Sequence, residues 1–270
     1  MVRPYERNKN TKTITVLTAG FMVASLMLTP MLAAFADNIQ SHPNVKIRAG
    51  TSANWSGYAA ESSISSPTTG FVQSVKSNWT VPTLTCDPSQ NTYVAIWVGI
   101  DGYSDGTVEQ TGTEQECVNG MQQNYAWYEL YPKPSFRITG ITVHAGDSVT
   151  ASVTYIGNNK FTLSISDLTT GQSFSKTFKS HAQRQSAEWI AEAPFSGGIL
   201  PLANFGTINF SNAQFTDNTG ATYAVDGRGT GTYDPITMHD PNGGNATPSG
   251  LTDFATSSGS SSSFSVTYSP

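Results

Sequence analysis

Hydrophobic and polar residues alternate with a period of two along much of this chain. Val149, Ala151, Val153 and Tyr155 are separated by polar neighbours, as are Phe161, Leu163 and Ile165, so each stretch predicts a strand with one buried face. Between them Ile156-Gly157-Asn158-Asn159-Lys160 has the chemistry of a hairpin turn. A second hairpin is predicted through Thr169-Thr170-Gly171-Gln172 into Phe174 and Phe178. Tyr93 to Ile100 is apolar almost throughout, the pattern of a strand in the middle of a sheet. Tyr125 to Tyr131, Ala187 to Glu192, Thr207 to Phe210 and Phe264 to Tyr268 add further strands. The Ser/Gly run from Ser257 to Ser263 reads as a loop before a terminal strand that closes the sheet. Helical periodicity is almost absent. The expected fold is all-β, an antiparallel β-sandwich of two packed sheets.

Composition narrows the picture. In 270 residues there are 24 Gly and 14 Pro but only 12% charged residues, which excludes a coiled coil or helical bundle. A formal net charge of −5 disfavours a nucleic-acid partner. Arg3, Arg7, Lys9 and Lys12 precede an apolar stretch from Ile14 to Leu28, and Ala34-Phe35-Ala36 has the small-x-small pattern of a signal-peptidase site. Residues 1–36 are therefore expected to be a signal peptide, cut after Ala36, with no membrane association afterwards. Residues 37–51 are expected to be either a short propeptide or a flexible lead-in, and residues 52–270 one β-sandwich domain. Export removes four basic residues and Glu6, so the mature chain is more acidic than the whole. With so few fixed cations it builds little self-repulsion when its carboxylates protonate, which suits an acidic extracellular medium.

Cys86 and Cys117 are the only cysteines, and in an exported chain an even pair is expected to form a disulfide. No metal site is expected, because no clustered Cys/His spacing accompanies them, and no cofactor motif is present. A Ser-His-Asp arrangement is poorly supported. His42 lies in the lead-in, His144 at a strand end, His181 in a polar loop and His239 in a Pro/Gly-rich loop, and none has a Gly-x-Ser-x-Gly neighbourhood.

Carboxylates and carboxamides on otherwise apolar strands are better candidates. In Ala187-Glu188-Trp189-Ile190-Ala191-Glu192, period-two geometry sends Glu188, Ile190 and Glu192 to one face and Ala187, Trp189 and Ala191 to the other. In Trp127-Tyr128-Glu129-Leu130-Tyr131, Trp127, Glu129 and Tyr131 share a face, so a carboxylate lies between two large aromatics. Such residues are solvent-facing, paired or functional. They suit a glycoside hydrolase with Glu129 and Glu192 as acid and base, or a carbohydrate-binding module whose tryptophans stack on sugar.

A family resemblance separates these readings. Asn54-Trp55-Ser56-Gly57-Tyr58, Asn78-Trp79-Thr80-Val81-Pro82, Trp97-Val98-Gly99-Ile100-Asp101-Gly102, Gln110-Thr111-Gly112, Ala126-Trp127-Tyr128-Glu129-Leu130-Tyr131-Pro132, Leu168-Thr169-Thr170-Gly171-Gln172 and Ala187-Glu188-Trp189-Ile190-Ala191-Glu192 follow the block order of the glutamic peptidases, or eqolisins. The resemblance runs from Asn54 to about Tyr268. It implies a secreted, pepstatin-insensitive acid endopeptidase on a concanavalin-like β-sandwich, monomeric, acting on protein or peptide substrates without a cofactor. It places the family's catalytic glutamine on Gln110 and its glutamate on Glu192. Trp55, Trp97, Asp101, Trp127 and Glu129 match positions near the substrate cleft. Leu130, where fungal members usually carry Trp, and the Cys86/Cys117 pair make the chain look more like a bacterial branch.

Overall fold

The computed structural model of the chain describes residues 50–270. The expected signal peptide, and the lead-in as far as residue 49, lie outside the described residues. Seventeen β-strands and no helix are present among them. In chain order the strands begin β1 (Thr51–Ser52), β2 (Trp55–Glu61), β3 (Val72–Thr80), β4 (Thr92–Ile100), β5 (Val108–Val118) and β6 (Met121–Tyr131). They continue β7 (Phe136–Ile138), β8 (Ser148–Tyr155), β9 (Lys160–Asp167), β10 (Ser173–Lys179), β11 (Ser186–Glu192) and β12 (Thr207–Asp217). The last are β13 (Thr222–Ala224), β14 (Tyr233–His239), β15 (Asn245–Pro248), β16 (Thr252–Thr256) and β17 (Gly259–Ser269). Thr51, assigned to the lead-in from sequence, already pairs with Thr237 in β14.

Two long runs of antiparallel pairing carry the fold. One is β7-β6-β5-β4-β11-β2-β14, and the other is β10-β9-β8-β3-β12-β17. β14 belongs to both, because Tyr233 to Ile236 pair with β2 while Met238 and His239 pair with β15, which in turn pairs with β17. The strands thus form one continuous, mostly antiparallel set; among the described residues strands pair in parallel at β1–β14 and β13–β17, beside an isolated parallel bridge between Tyr93 and Leu202.

Each predicted hairpin has a physical cause in its turn. Between β8 and β9, Gly157, Asn158 and Asn159 take φ values of 87°, 54° and 53°, a region that glycine enters freely and asparagine tolerates. Between β9 and β10, the Asp167 carboxylate accepts the backbone N–H groups of Thr169 and Thr170 and the Thr170 hydroxyl, while Gly171 supplies the left-handed residue. The Ser-rich stretch departs from expectation. Gly259 to Ser263 form a hairpin partner for β16 instead of a loop, and Ser262 is buried. Its hydroxyl donates to Asp253 and accepts from the Val225 N–H, so a small polar side chain is satisfied where a larger one would not fit.

The main hydrophobic core draws Val94, Ile96, Val98 and Ile100 from β4, Trp189 from β11, and Val153, Leu163, Trp79 and Phe210 from the second run. The two runs are also tied through tryptophan N–H groups. Trp79 Nε1 donates to Thr113 Oγ1 at 3.0 Å, and Trp189 Nε1 donates to the Lys76 carbonyl at 2.9 Å. β4 lies between β5 and β11, with Ala95 and Trp97 buried on its other side, which explains its continuous apolar sequence. Cys86 and Cys117 form the expected disulfide, joining the segment after β3 to the far end of β5 with a Cα–Cα distance of 5.4 Å. Among the described residues no helix is long and apolar enough to cross a membrane.

Candidate active site

The candidate residues gather on the face of the first run that points away from the main core. Strand register sorts them into cross-strand rows. Trp55, Glu192, Ala95 and Glu114 form one row across β2, β11, β4 and β5. The next is Gly57, Ile190, Trp97, Gly112 and Trp127, and the third is Ala59, Glu188, Gly99, Gln110 and Glu129. Glu192 and Gln110 therefore share a face, with β4 between their strands.

Trp97 organises the space between them. A Cβ built on Gly99 would lie 2.9 Å from Trp97 Cζ3, so the indole extends over the glycine and needs it bare. Gly112, opposite Trp97 on β5, must also be bare, since a Cβ there would stand 2.6 Å from the Trp97 Cβ and 2.1 Å from the Ile96 carbonyl oxygen. Trp55 meets Trp97 edge to face, with centroids 4.9 Å apart.

At the opposite end of the indole, Trp97 Nε1 donates to Glu192 Oε2 at 2.8 Å. Asn54 Nδ2 donates to Glu192 Oε1 at 3.0 Å. Both carboxylate oxygens are thus held by neutral donors on β4 and just before β2. Asn54 is itself fixed, its N–H bonded to Ser52 Oγ and its carbonyl accepting the Ala193 N–H. Sequence reasoning quoted Asn54 as the first residue of a family block but assigned it no role. Its signal was its place beside Trp55 at the start of a strand.

Gln110 Nε2 donates to Glu129 Oε2 at 2.7 Å, and both side chains are buried. Trp127 is buried one row away. Asp101 is tied into the backbone of the neighbouring segment. It is fully buried at φ 70°, with Oδ1 accepting the Gln185 N–H and Oδ2 the Arg184 N–H, each at 2.6 Å. Its own N–H donates to the Ser186 carbonyl. Asp101 therefore clamps the end of β4 to the start of β11, the two strands that bring Trp97 and Glu192 together.

Several carboxyl groups near that clamp are pushed well above the usual carboxylate range. Burial pushes Glu61 up to about 7 and Glu109 up to about 8, and it raises Glu188, which is enclosed on every side, well above its ordinary value. Asp101 and Asp105 add like-charge repulsion to all three. Among the described residues, His144 bonds Asp147, His181 bonds Asn159, and His239 bonds Asn245, so no imidazole is paired with a serine hydroxyl. His239 is the last residue of β14 and not part of a loop as its Pro/Gly-rich surroundings suggested. Among the described residues no group of three or more His, Cys, Asp or Glu side chains is arranged to hold a metal ion.

An antiparallel all-β protein with a doubly held carboxylate and an oriented carboxamide on one sheet face has counterparts among known proteins. Residues 53–268 match the Peptidase A4 family, and the chain belongs to it. Over 134 residues it is 34% identical to Aspergillopepsin-2 of Aspergillus niger, covering 47% of this chain and 48% of that protein. Over 135 residues it is 40% identical to Scytalidopepsin B of Scytalidium lignicola, covering 45% and 51%. The matched stretch thus spans about half the length of these curated relatives. Scytalido-glutamic peptidase, crystallised with a transition state analog inhibitor, superposes with a TM-score of 0.61 at 25% identity, over 80% of this chain and 98% of that one. Aspergilloglutamic peptidase from Aspergillus niger superposes with a TM-score of 0.53 at 28% identity, over 66% and 99%. None of these relatives points to sugar hydrolysis or sugar binding.

Proposed function

We propose that the protein is a secreted acid endopeptidase that hydrolyses peptide bonds with Glu192 and Gln110. The observation that carries this reading is the pair of hydrogen bonds holding the Glu192 carboxylate, from Asn54 and Trp97, on the face that also presents Gln110. A carboxylate so held takes a proton from a water molecule as that water attacks the scissile carbonyl carbon. The carbonyl oxygen becomes an oxyanion, to which a Gln110 N–H donates. The carboxylic acid formed on Glu192 then delivers its proton to the amide nitrogen. The C–N bond breaks, releasing an amine and a new carboxyl terminus, and Glu192 is again a carboxylate.

A carboxamide does not titrate in acid, whereas an unperturbed histidine is protonated below about pH 6.5, so this pair keeps working where a His-based triad loses its base. Trp55, Trp97 and Trp127 supply apolar walls for the substrate chain. The two pairing runs are read as the layers of a concanavalin-like sandwich. Residues 1–36 are read as a signal peptide and residues 37–51 as a propeptide or lead-in ahead of a monomeric extracellular domain; the Cys86–Cys117 disulfide is consistent with export. Leu130 and that disulfide support placing the chain in a bacterial-type branch.

The test is incubation of the purified protein with denatured protein substrate at pH 3–4 in the presence of pepstatin, beside a polysaccharide panel. Peptide fragments with intact glycans are expected. Glycan cleavage, or no peptide products at all, would overturn the proposal.

A further inference from the structure

A carboxamide can act on an oxyanion only if its nitrogen and oxygen ends are the right way round. The terminal torsion of glutamine is broad and roughly two-fold, so the side chain itself does not choose. Gln110 has two cross-strand neighbours, Glu129 on β6 and Gly99 on β4. Gly99 offers no side chain, and the ring that covers it, the carbon edge of Trp97, has no hydrogen-bonding group there. Gln110 Oε1 is buried without a hydrogen-bond partner among the described residues, while Nε2 is tied to Glu129 Oε2 at 2.7 Å.

We propose that Glu129 is a positioning residue that sets the orientation of the Gln110 carboxamide. Glu129 Oε2 accepts from Gln110 Nε2, and a carboxyl oxygen that carries no proton can accept but not donate a hydrogen bond, so this contact binds the NH₂ end and rejects the oxygen end. One N–H is then engaged by Glu129, and the second N–H and the Oε1 lone pairs remain free for the reacting groups. Glu129 thereby acts through Gln110 and not as the substrate contact that the family resemblance implied. The inference rests on the Gln110/Glu192 reading above, and its test separates the two.

Kinetics of Glu129→Ala, Glu129→Gln and Gln110→Ala on a short peptide, with side-chain NH₂ spectra of ¹⁵N-glutamine-labelled protein, provide that test. In Glu129→Ala, kcat is expected to fall roughly 10- to 100-fold, the scale of a misaligned catalytic group, with KM nearly unchanged. Glu129→Gln keeps an acceptor oxygen of the same reach, so it should stay within about tenfold of the parent on the same scale, and it serves if the alanine variant fails to fold. The Gln110 NH₂ proton bonded to Glu129 should resonate downfield in the parent and move upfield when the carboxylate is removed. A rise in KM with unchanged kcat, or Gln110 signals that ignore the loss of Glu129, would overturn the positioning role. Full activity in Gln110→Ala would instead overturn the dyad itself, leaving the spectral result to stand on its own.

Discussion

Two faces of this protein are built on the same strand geometry and have opposite chemistry. The face of β2, β11, β4, β5 and β6 away from the core carries Glu188, Ile190, Glu192, Trp97 and Gln110, all fully buried. The corresponding face of β8, β9 and β10 is mostly hydroxyls, with Lys160 and Lys179 paired at its end. Thr154, Thr162 and Thr177 form one cross-strand row there, and Ser152, Ser164 and Ser175 the next. Neighbouring hydroxyls bond to one another, Thr162 to Thr177 at 3.0 Å and Ser164 to Ser175 at 2.8 Å. The core-facing residues of both regions are mainly Val, Ile, Leu and Ala with a few aromatics such as Trp189 and Phe161. Packing inside is thus common to both, and the difference lies in what period two sends outward. One face carries mutually bonded hydroxyls, while the other buries carboxyl groups whose charge depends on pH.

The comparison breaks most sharply at Glu192. Glu192→Gln preserves the shape and removes the proton acceptor, so peptide hydrolysis should drop about 10²- to 10⁴-fold with an unchanged unfolding midpoint. A variant keeping a tenth of the parent turnover would move the base to another carboxylate, Glu129 or Glu188 first.

The staple belongs to neither face and should act on stability without choosing between them. The cysteines are separated by 31 positions, and opening that loop in a Cys86→Ser/Cys117→Ser variant should cost about 4 kcal/mol on the chain-entropy estimate. Urea unfolding measures the loss. A loss under 1 kcal/mol would mean that the reduced, unfolded chain remains compact there.

Buried carboxyl groups on both sides of the first run, Glu61 and Glu188 on the outer face and Glu109 on the core side, should also write themselves into the pH dependence of stability. Glu61 and Glu109 are raised to about 7 and about 8, and Glu188 is raised further by burial. The folded chain therefore holds protons that the unfolded chain releases from about pH 4.5 upward. Their stabilising contribution is complete below that pH and is lost as the pH rises through about 7 and 8. In Glu61→Gln and Glu188→Gln the difference in unfolding free energy between pH 4 and pH 8 should shrink, because the substituted side chain no longer ionises. An unchanged difference in both variants would remove these groups as the cause.

On the hydroxyl face the expected effects are smallest. Ser164→Ala and Thr162→Val, measured by urea unfolding and peptide turnover, should shift stability by no more than about 0.5 kcal/mol and leave activity alone. A tenfold loss of turnover in either would show that the two faces are coupled.

Much of the fold was legible in local pattern. The alternation in β8, β9 and β11, the Gly-Asn-Asn turn and the continuous apolar run of β4 follow from period two and from which residues tolerate positive φ. The Ser run in β17 misled because serine also marks loops, and only its partners β16 and β12 give those small side chains a buried place. Asp101 carried no local sign of its clamping role, since the N–H groups it binds belong to residues 83 and 84 positions away.

By itself the sequence determined that Glu188 and Glu192 share one side of their strand and that Glu129 shares a side with Trp127 and Tyr131, because that depends only on neighbours two residues apart. Through family blocks it also pointed to Gln110 and Glu192. What only the tertiary structure decided is which strands lie side by side. The Asn54 donor reaches Glu192 across 138 residues and the Trp97 donor across 95, while the Glu129 acceptor reaches Gln110 across 19. Those pairings come from strand order and register, set by the burial of a shared core, and no local spacing in the chain encodes them.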